Sequence, residues 1–326
     1  MVAPPRLGLA SRPVTTSVPA VPDAVLATST RGPSWAAWVD ALPRRAADLL
    51  EEWGLRAEGC TWHGHVSWVL AVTGPDGPAV LKLSWHDDVE SRHEHLALRA
   101  WDGDGAVRLL RADPRRRALL LERLEARDLT EEWDLAACEV VAGLYGRLHR
   151  PALPQLARLV DAVAGWDDDL AALPPSAPLP RRLVEQAVSL GRSFERDPAT
   201  SGRTIHGDLH YANVLVAPEG PGAPRGVDGW LAIDPKPLDG DPHYEVAPLL
   251  WNRFDELAGD VRGGVRRRFH AVVDAAGLDE DRARDWVVVR MLHNASWELA
   301  DAEAQRRAPD AGWLTACVSV AKAVQE

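Results

Sequence analysis

The stretch "TIHGDLHYANVLVAP", residues 204–218, admits two chemistries. His206 and His210 stand four apart, so on a helix both imidazoles would share a face and could hold a metal ion. Gly207 is a poor helix former, however, and the segment runs straight into the strand-like "NVLVA". The helical zinc-protease pattern also needs a glutamate directly after the first histidine, where Gly207 sits. The second chemistry starts from Asp208, followed five positions later by Asn213. In a phosphotransferase loop with this spacing, the carboxylate reaches the attacking hydroxyl as base. The amide, one turn away, holds magnesium on the phosphates.

Such a loop needs a second acid at the end of a following strand, to chelate magnesium between phosphates. "GWLAID" supplies it as Asp234, with "NVLVA" and "GWLAI" as a hairpin and a long Pro- and Gly-rich tip between them. It also needs a lysine on an earlier strand, paired with a glutamate on the next helix. "AVLKL" offers Lys82, and Glu94 lies twelve residues on in mid-helix, with Glu90 one turn earlier as a rival partner. Only three lysines occur in the chain (Lys82, Lys236 and Lys322), which makes the place of each one more informative, although codon bias accounts for the scarcity equally well. In "CTWHGHVSWV", backbone amides near Gly64 and the Ser67 hydroxyl are candidates for phosphate contact, although an ordinary β-turn reads equally well there. "LLLERL" would form a hinge around Glu122 to Leu124, offering backbone bonds to adenine.

The bulk properties narrow the classes. A chain of 326 residues with 46% hydrophobic content can bury a sizeable core or two lobes around a cleft. A formal charge of -11 argues against nucleic acid as a partner and is compatible with a cationic or polar small molecule, although solubility alone accounts for an acidic surface equally well. Cys60, Cys138 and Cys317 lie far apart without a CxxC pair, as expected in a reducing compartment. No apolar run reaches membrane-spanning length, and the N-terminus lacks the pattern of a signal peptide. A cytoplasmic monomer, with no membrane partner, is expected.

Residues 1–33, rich in Pro, Ala, Ser and Thr, are expected to form a disordered tail. Ser34 reads as an N-cap, and Pro43 as the point where a second helix restarts. Residues 34–124 then form a small mixed lobe with an antiparallel sheet and one key helix. Residues 125–326 form a larger, mostly helical lobe carrying the catalytic loop and acceptor site. The fold class is α+β, two-lobed and protein-kinase-like.

"HGDLHYANVL" together with "WLAIDPKPLDGDPHYEVAPLLWNR" resembles the aminoglycoside/hydroxyurea antibiotic resistance kinases, within the aminoglycoside phosphotransferases. "AVLKLSW", "LRAWDGDGAVRLL" and "LLLERL" extend the resemblance over most of the chain from about Ser34. It implies transfer of the ATP γ-phosphate to a hydroxyl of a small antibiotic, of streptomycin or hydroxyurea type, with ATP and Mg2+ as cofactors. By position it makes Asp208 the base, Asn213 and Asp234 the magnesium ligands, Lys82 the phosphate clamp and Glu94 its partner. His206 becomes structural, and Gly207 replaces the arginine of the kinase H-R-D motif. No A-P-E-like segment follows Asp234, which argues against protein substrates. For the acceptor, "HNASWELADAE" offers Trp297, Glu298 and Asp301, carboxylates beside an indole that would suit a guanidinium. The same residues read equally well as a solvated acidic helix edge with Trp297 in the core. Asp241, with Pro242 next, is a further candidate that reads first as an N-cap. Two other functions fit the same residues: a metabolic kinase for an amino sugar or related alcohol, and a catalytically silent kinase-like binding protein.

Overall fold

The computed structural model describes residues 18–218 and 225–325 and divides the chain into two compact units, the first ending at His86 and the second beginning at Asp87. In the first unit, helix α1 (Asp23–Ala27) and a 3-10 turn (Thr28–Arg31) lead into α2 (Pro33–Glu52). The expected disordered tail is therefore helical from Asp23, with residues 1–17 outside the described residues. The reason is local docking: Val25 is buried, the Thr28 hydroxyl caps the Val25 carbonyl at 2.7 Å, and Arg31 lies over the Trp35 ring.

Pro43 does not restart a helix. It lies inside α2, whose Trp38, Val39, Leu42, Ala46, Leu49 and Leu50 form one unbroken buried stripe. Each large side chain in that stripe contributes about 1.5–3 kcal/mol, enough to offset the hydrogen bond a proline removes. Gly32 takes the N-cap position expected for Ser34, with Pro33 at the first helical position. Strands β1 (Arg56–His63), β2 (Ser67–Gly74) and β3 (Gly77–Ser84) follow as an antiparallel meander. β3 carries Lys82, which is buried.

The second unit opens with a 3-10 turn (Glu90–His93) and α3 (Glu94–Trp101). Glu94 is thus the first residue of its helix, not a mid-helix one, because the preceding turn is too tight for α geometry. β4 (Leu109–Asp113) and β5 (Ala118–Glu122) form an antiparallel hairpin. The compact units do not divide at Leu124. Residues 101–125 are tied by backbone bonds to the segments that follow: Val107 and Gly105 pair with Ala232, and the Glu125 amide donates to the Val216 carbonyl.

Helices α4 (Asp134–Leu148), α5 (Leu159–Ala171) and α6 (Arg181–Glu195) come next, with the two-residue β6 (Ala157–Arg158) before α5. Short strands then frame the site: β7 (Arg203–Ile205), β8 (Val214–Val216), β9 (Trp230–Ala232) and β10 (Leu238–Gly240). β8 and β9 form the expected antiparallel hairpin, and β10 lies between β6 and β7. Of the hairpin's long tip, residues 219–224 lie outside the described residues. Helices α7 (Ala247–Trp251), α8 (Val261–Ala276), α9 (Glu280–Ala304) and α10 (Ala311–Ala323) complete the unit. Leu159, Val163, Phe194, Ile205, Tyr244, Trp286 and Val289 pack into one core beneath β7, so the loop after β7 rests on a rigid floor.

Candidate active site

The loop after β7 is held by its own backbone. His206 is fully buried; its Nε2–H donates to the Ile233 carbonyl at 2.9 Å, and its Nδ1 accepts the Asp208 amide at 3.3 Å. Both ring nitrogens are thus spent, which removes His206 from any metal pair with His210. Burial keeps the ring neutral, pushing its pKa below the ordinary value against the pull of Glu245 and Asp208. No cluster of three or more His, Cys, Asp or Glu side chains with metal-holding geometry occurs among the described residues.

Gly207 sits at φ +82°, and a Cβ there would lie 2.3 Å from the Lys236 carbonyl oxygen. The position that holds arginine in H-R-D is closed here to any side chain. The Gly207 amide donates to Oε1 of the fully buried Glu245 at 2.6 Å, and the other oxygen of that carboxylate pairs with His149.

Asn213 closes the loop. Its Nδ2 donates to the Asp208 carbonyl at 2.9 Å and lies 3.1 Å from His210 Nε2, so both amide hydrogens are used and Oδ1 is its remaining function. The Ile233 amide in turn donates to the Asn213 carbonyl at 2.9 Å, fixing Asp234 next to this loop. Asp234 adopts the left-handed conformation (φ +56°), uncommon for a residue other than glycine. The oxygen-only set of Asn213 and Asp234 suits magnesium, which binds through few protein oxygens and completes its shell with phosphate and water.

The base candidate has a partner that sequence reasoning missed. Lys236 Nζ lies 2.9 Å from Asp208 Oδ2 and 3.4 Å from Glu90 Oε2. Burial alone would lower the pKa of this ammonium; Asp208 and Glu90 outweigh burial and hold it above the ordinary value. Glu90, the rival partner for Lys82, is engaged with Lys236. The scarcity of lysine was the available signal.

The acceptor candidates fare differently. Asp241 is 1% exposed and accepts from Arg282 Nε, Trp286 Nε1, and the His243 amide and ring. It is the N-cap of the turn Pro242–Val246, with no capacity left for a substrate. Glu298 is locked to Arg307 at 2.6 Å and to the Asp310 amide, and Asp301 is exposed on the last turns of α9. Trp297 packs edge-on to Trp166, and the Arg290 guanidinium lies over its ring at 5.0 Å. A carboxylate pair beside a free indole is therefore not what α9 presents. On the nucleotide side, Gly64 donates its amide to the Ser67 carbonyl within an ordinary hairpin turn, and Ser67 is buried. The Glu122 amide donates to the Arg108 carbonyl, and its carboxylate is gripped by both terminal nitrogens of Arg225 at 2.6 Å. Leu124 follows β5 in a half-buried segment without regular secondary structure.

A solved spectinomycin phosphotransferase, in complex with ADP and spectinomycin, matches the fold with a TM-score of 0.59 at 12% identity, over 86% of this chain and 98% of that one. The fold is that of the protein-kinase-like small-molecule phosphotransferases. Streptomycin 6-kinase of Streptomyces glaucescens is 39% identical over 294 residues, 87% of this chain and 92% of that one. Hydroxyurea phosphotransferase of Kitasatospora aureofaciens is 42% identical over 277 residues, 82% and 76% of the respective chains. Residues 52–302 match the aminoglycoside/hydroxyurea antibiotic resistance kinases, and this chain belongs to that family.

Proposed function

We propose that the protein transfers the γ-phosphate of ATP to a hydroxyl of a small antibiotic of the streptomycin or hydroxyurea type, inactivating it in the cytoplasm. The observation that carries this reading is the joined loop and hairpin: Asn213 Nδ2 on the Asp208 carbonyl, and the Ile233 amide on the Asn213 carbonyl, each at 2.9 Å. These bonds keep Asp208, Asn213 and Asp234 in register, which supports assigning the first to the proton and the other two to a metal.

Asp208 accepts the proton of the acceptor hydroxyl as that oxygen attacks phosphorus. Lys236 orients the carboxylate and keeps it apart from Glu90. Asn213 and Asp234 would hold Mg2+, which when bound neutralises charge on the phosphates. Lys82, on β3, is assigned to the nucleotide phosphates by its place in the family motif. Little covalent chemistry is asked of the protein; position and charge do the work.

The test is ADP release by the purified chain with Mg-ATP, across streptomycin, hydroxyurea, other aminoglycosides and amino sugars. Turnover with streptomycin or hydroxyurea, reduced about 100-fold or more in Asp208→Asn, is expected. Asp234→Asn should raise the Mg2+ concentration needed for half-maximal rate. Turnover confined to simple amino sugars would overturn the antibiotic assignment, and wild-type rates in Asp208→Asn would overturn the site.

A further inference from the structure

Arg290, on α9, is 8% exposed, and its Nε is shut in without a hydrogen-bond partner. No carboxylate forms an ion pair with it among the described residues. Three rings surround the guanidinium instead: Tyr244 at 4.8 Å, Trp297 at 5.0 Å and Trp251 at 5.7 Å from the ring centroids. Arg268 shows how the same unit treats an arginine with a purely structural task. It is fully buried, but Asp134 and the carbonyls of Asn252 and Arg253 bind its nitrogens at 2.7–3.1 Å. A buried cation without a counter-charge is costly unless a ligand supplies one. The Tyr244 ring that Arg290 covers is followed by Glu245, whose Oε1 accepts the Gly207 amide at 2.6 Å one residue before Asp208, which sets Arg290 in the neighbourhood of the proposed base.

The acceptor hydroxyl must reach Asp208, so the rest of the acceptor extends into this neighbourhood. There it meets an arginine that already covers the aromatic faces a guanidinium ligand would need. We propose that Arg290 is the acceptor-specificity residue: its unpaired guanidinium binds an oxygen next to the attacked hydroxyl and so selects neutral or anionic acceptors over guanidinium-bearing ones. Hydroxyurea, neutral with a carbonyl beside its hydroxylamino group, is of the accepted class. Streptomycin, with two guanidinium groups, is of the rejected class, since like charges repel strongly where water is excluded.

The inference rests on the phosphotransferase reading above, and binding separates the two. Calorimetric titration of the full chain with hydroxyurea and with streptomycin, in the presence of Mg-ADP, needs no turnover. It is paired with kcat/KM for both acceptors. The wild type should prefer hydroxyurea in both measurements. Arg290→Met should weaken hydroxyurea by about tenfold or more, the worth of a hydrogen bond to a charged group, and leave streptomycin unchanged or improved. Arg290→Lys, which keeps the charge, should retain part of the preference. Thermal unfolding confirms that each variant is folded, and the opposite response of the two acceptors separates recognition from loss of structure. Preference for hydroxyurea in binding without turnover would sink the phosphotransferase reading and sustain the role of Arg290. Equal losses for both acceptors, tighter wild-type binding of streptomycin, or no binding of hydroxyurea would overturn it.

Discussion

The Lys236 ammonium sits 2.9 Å from the Asp208 carboxylate, and the Lys236 amide donates to the His206 carbonyl at 2.8 Å. One residue therefore joins the catalytic-loop strand to the segment after Asp234, by backbone and side chain together. Replacing it with methionine keeps the stem and removes the charge. Lys236→Met should lower kcat about 100-fold or more, with thermal stability nearly unchanged because the ammonium is partly solvated. An unaltered kcat would show that Asp208 needs no cationic partner.

Gly207 is required twice over, by its left-handed φ of +82° and by the Lys236 carbonyl oxygen 2.3 Å from where a Cβ would stand. Gly207→Ala should cost about 2–4 kcal/mol of stability and most of the turnover. Denaturant titration and steady-state rates would measure both. A stable, active alanine variant would mean that the two segments separate freely, contrary to the hydrogen bonds that join them.

Two buried histidines set an acid limit on stability. Burial holds His206 and His293 below the ordinary value of 6.5, outweighing Glu245 and Asp208 at the first and Asp167 at the second. As pH falls, the unfolded chain takes up protons that the folded chain refuses. Stability is thus fully present above pH 6.5 and is lost as pH drops through that value toward the lower folded ones. The melting temperature should stay level above about pH 7 and fall below it. His206→Asn should melt lower at neutral pH and show a shallower acid slope.

Asp241 anchors Arg282, Trp286 and His243 from a fully enclosed position. Asp241→Ala should lose about 3–5 kcal/mol and leave the ratio of kcat/KM between two acceptors unchanged. A changed ratio with intact stability would return Asp241 to the acceptor site.

The loop after β7 and the β8–β9 hairpin were legible in the sequence because the proposed chemistry imposes short, fixed spacings. In that proposal a base and a metal-holding amide lie about one turn apart, and a second acid ends the next strand. Asp208, Asn213 and Asp234 satisfy these demands within 27 residues of chain. Helix limits were less legible. Pro43 is punctuation in local terms, but the buried stripe from Trp38 to Leu50 carries the helix through it.

What the sequence determined by itself was the loop, the hairpin and the family they belong to, since each depends on neighbours along the chain. The tertiary structure alone decided the partners. Glu90 meets Lys236, Asp241 is consumed by α9, and Glu298 turns to Arg307. Arg290 is left caged and unpaired while Arg268 is fully bonded. All are charged side chains whose fate depends on which distant segment packs against them. Spacing in the chain carries no record of that, because the energy of a buried charge is set by what surrounds it in space.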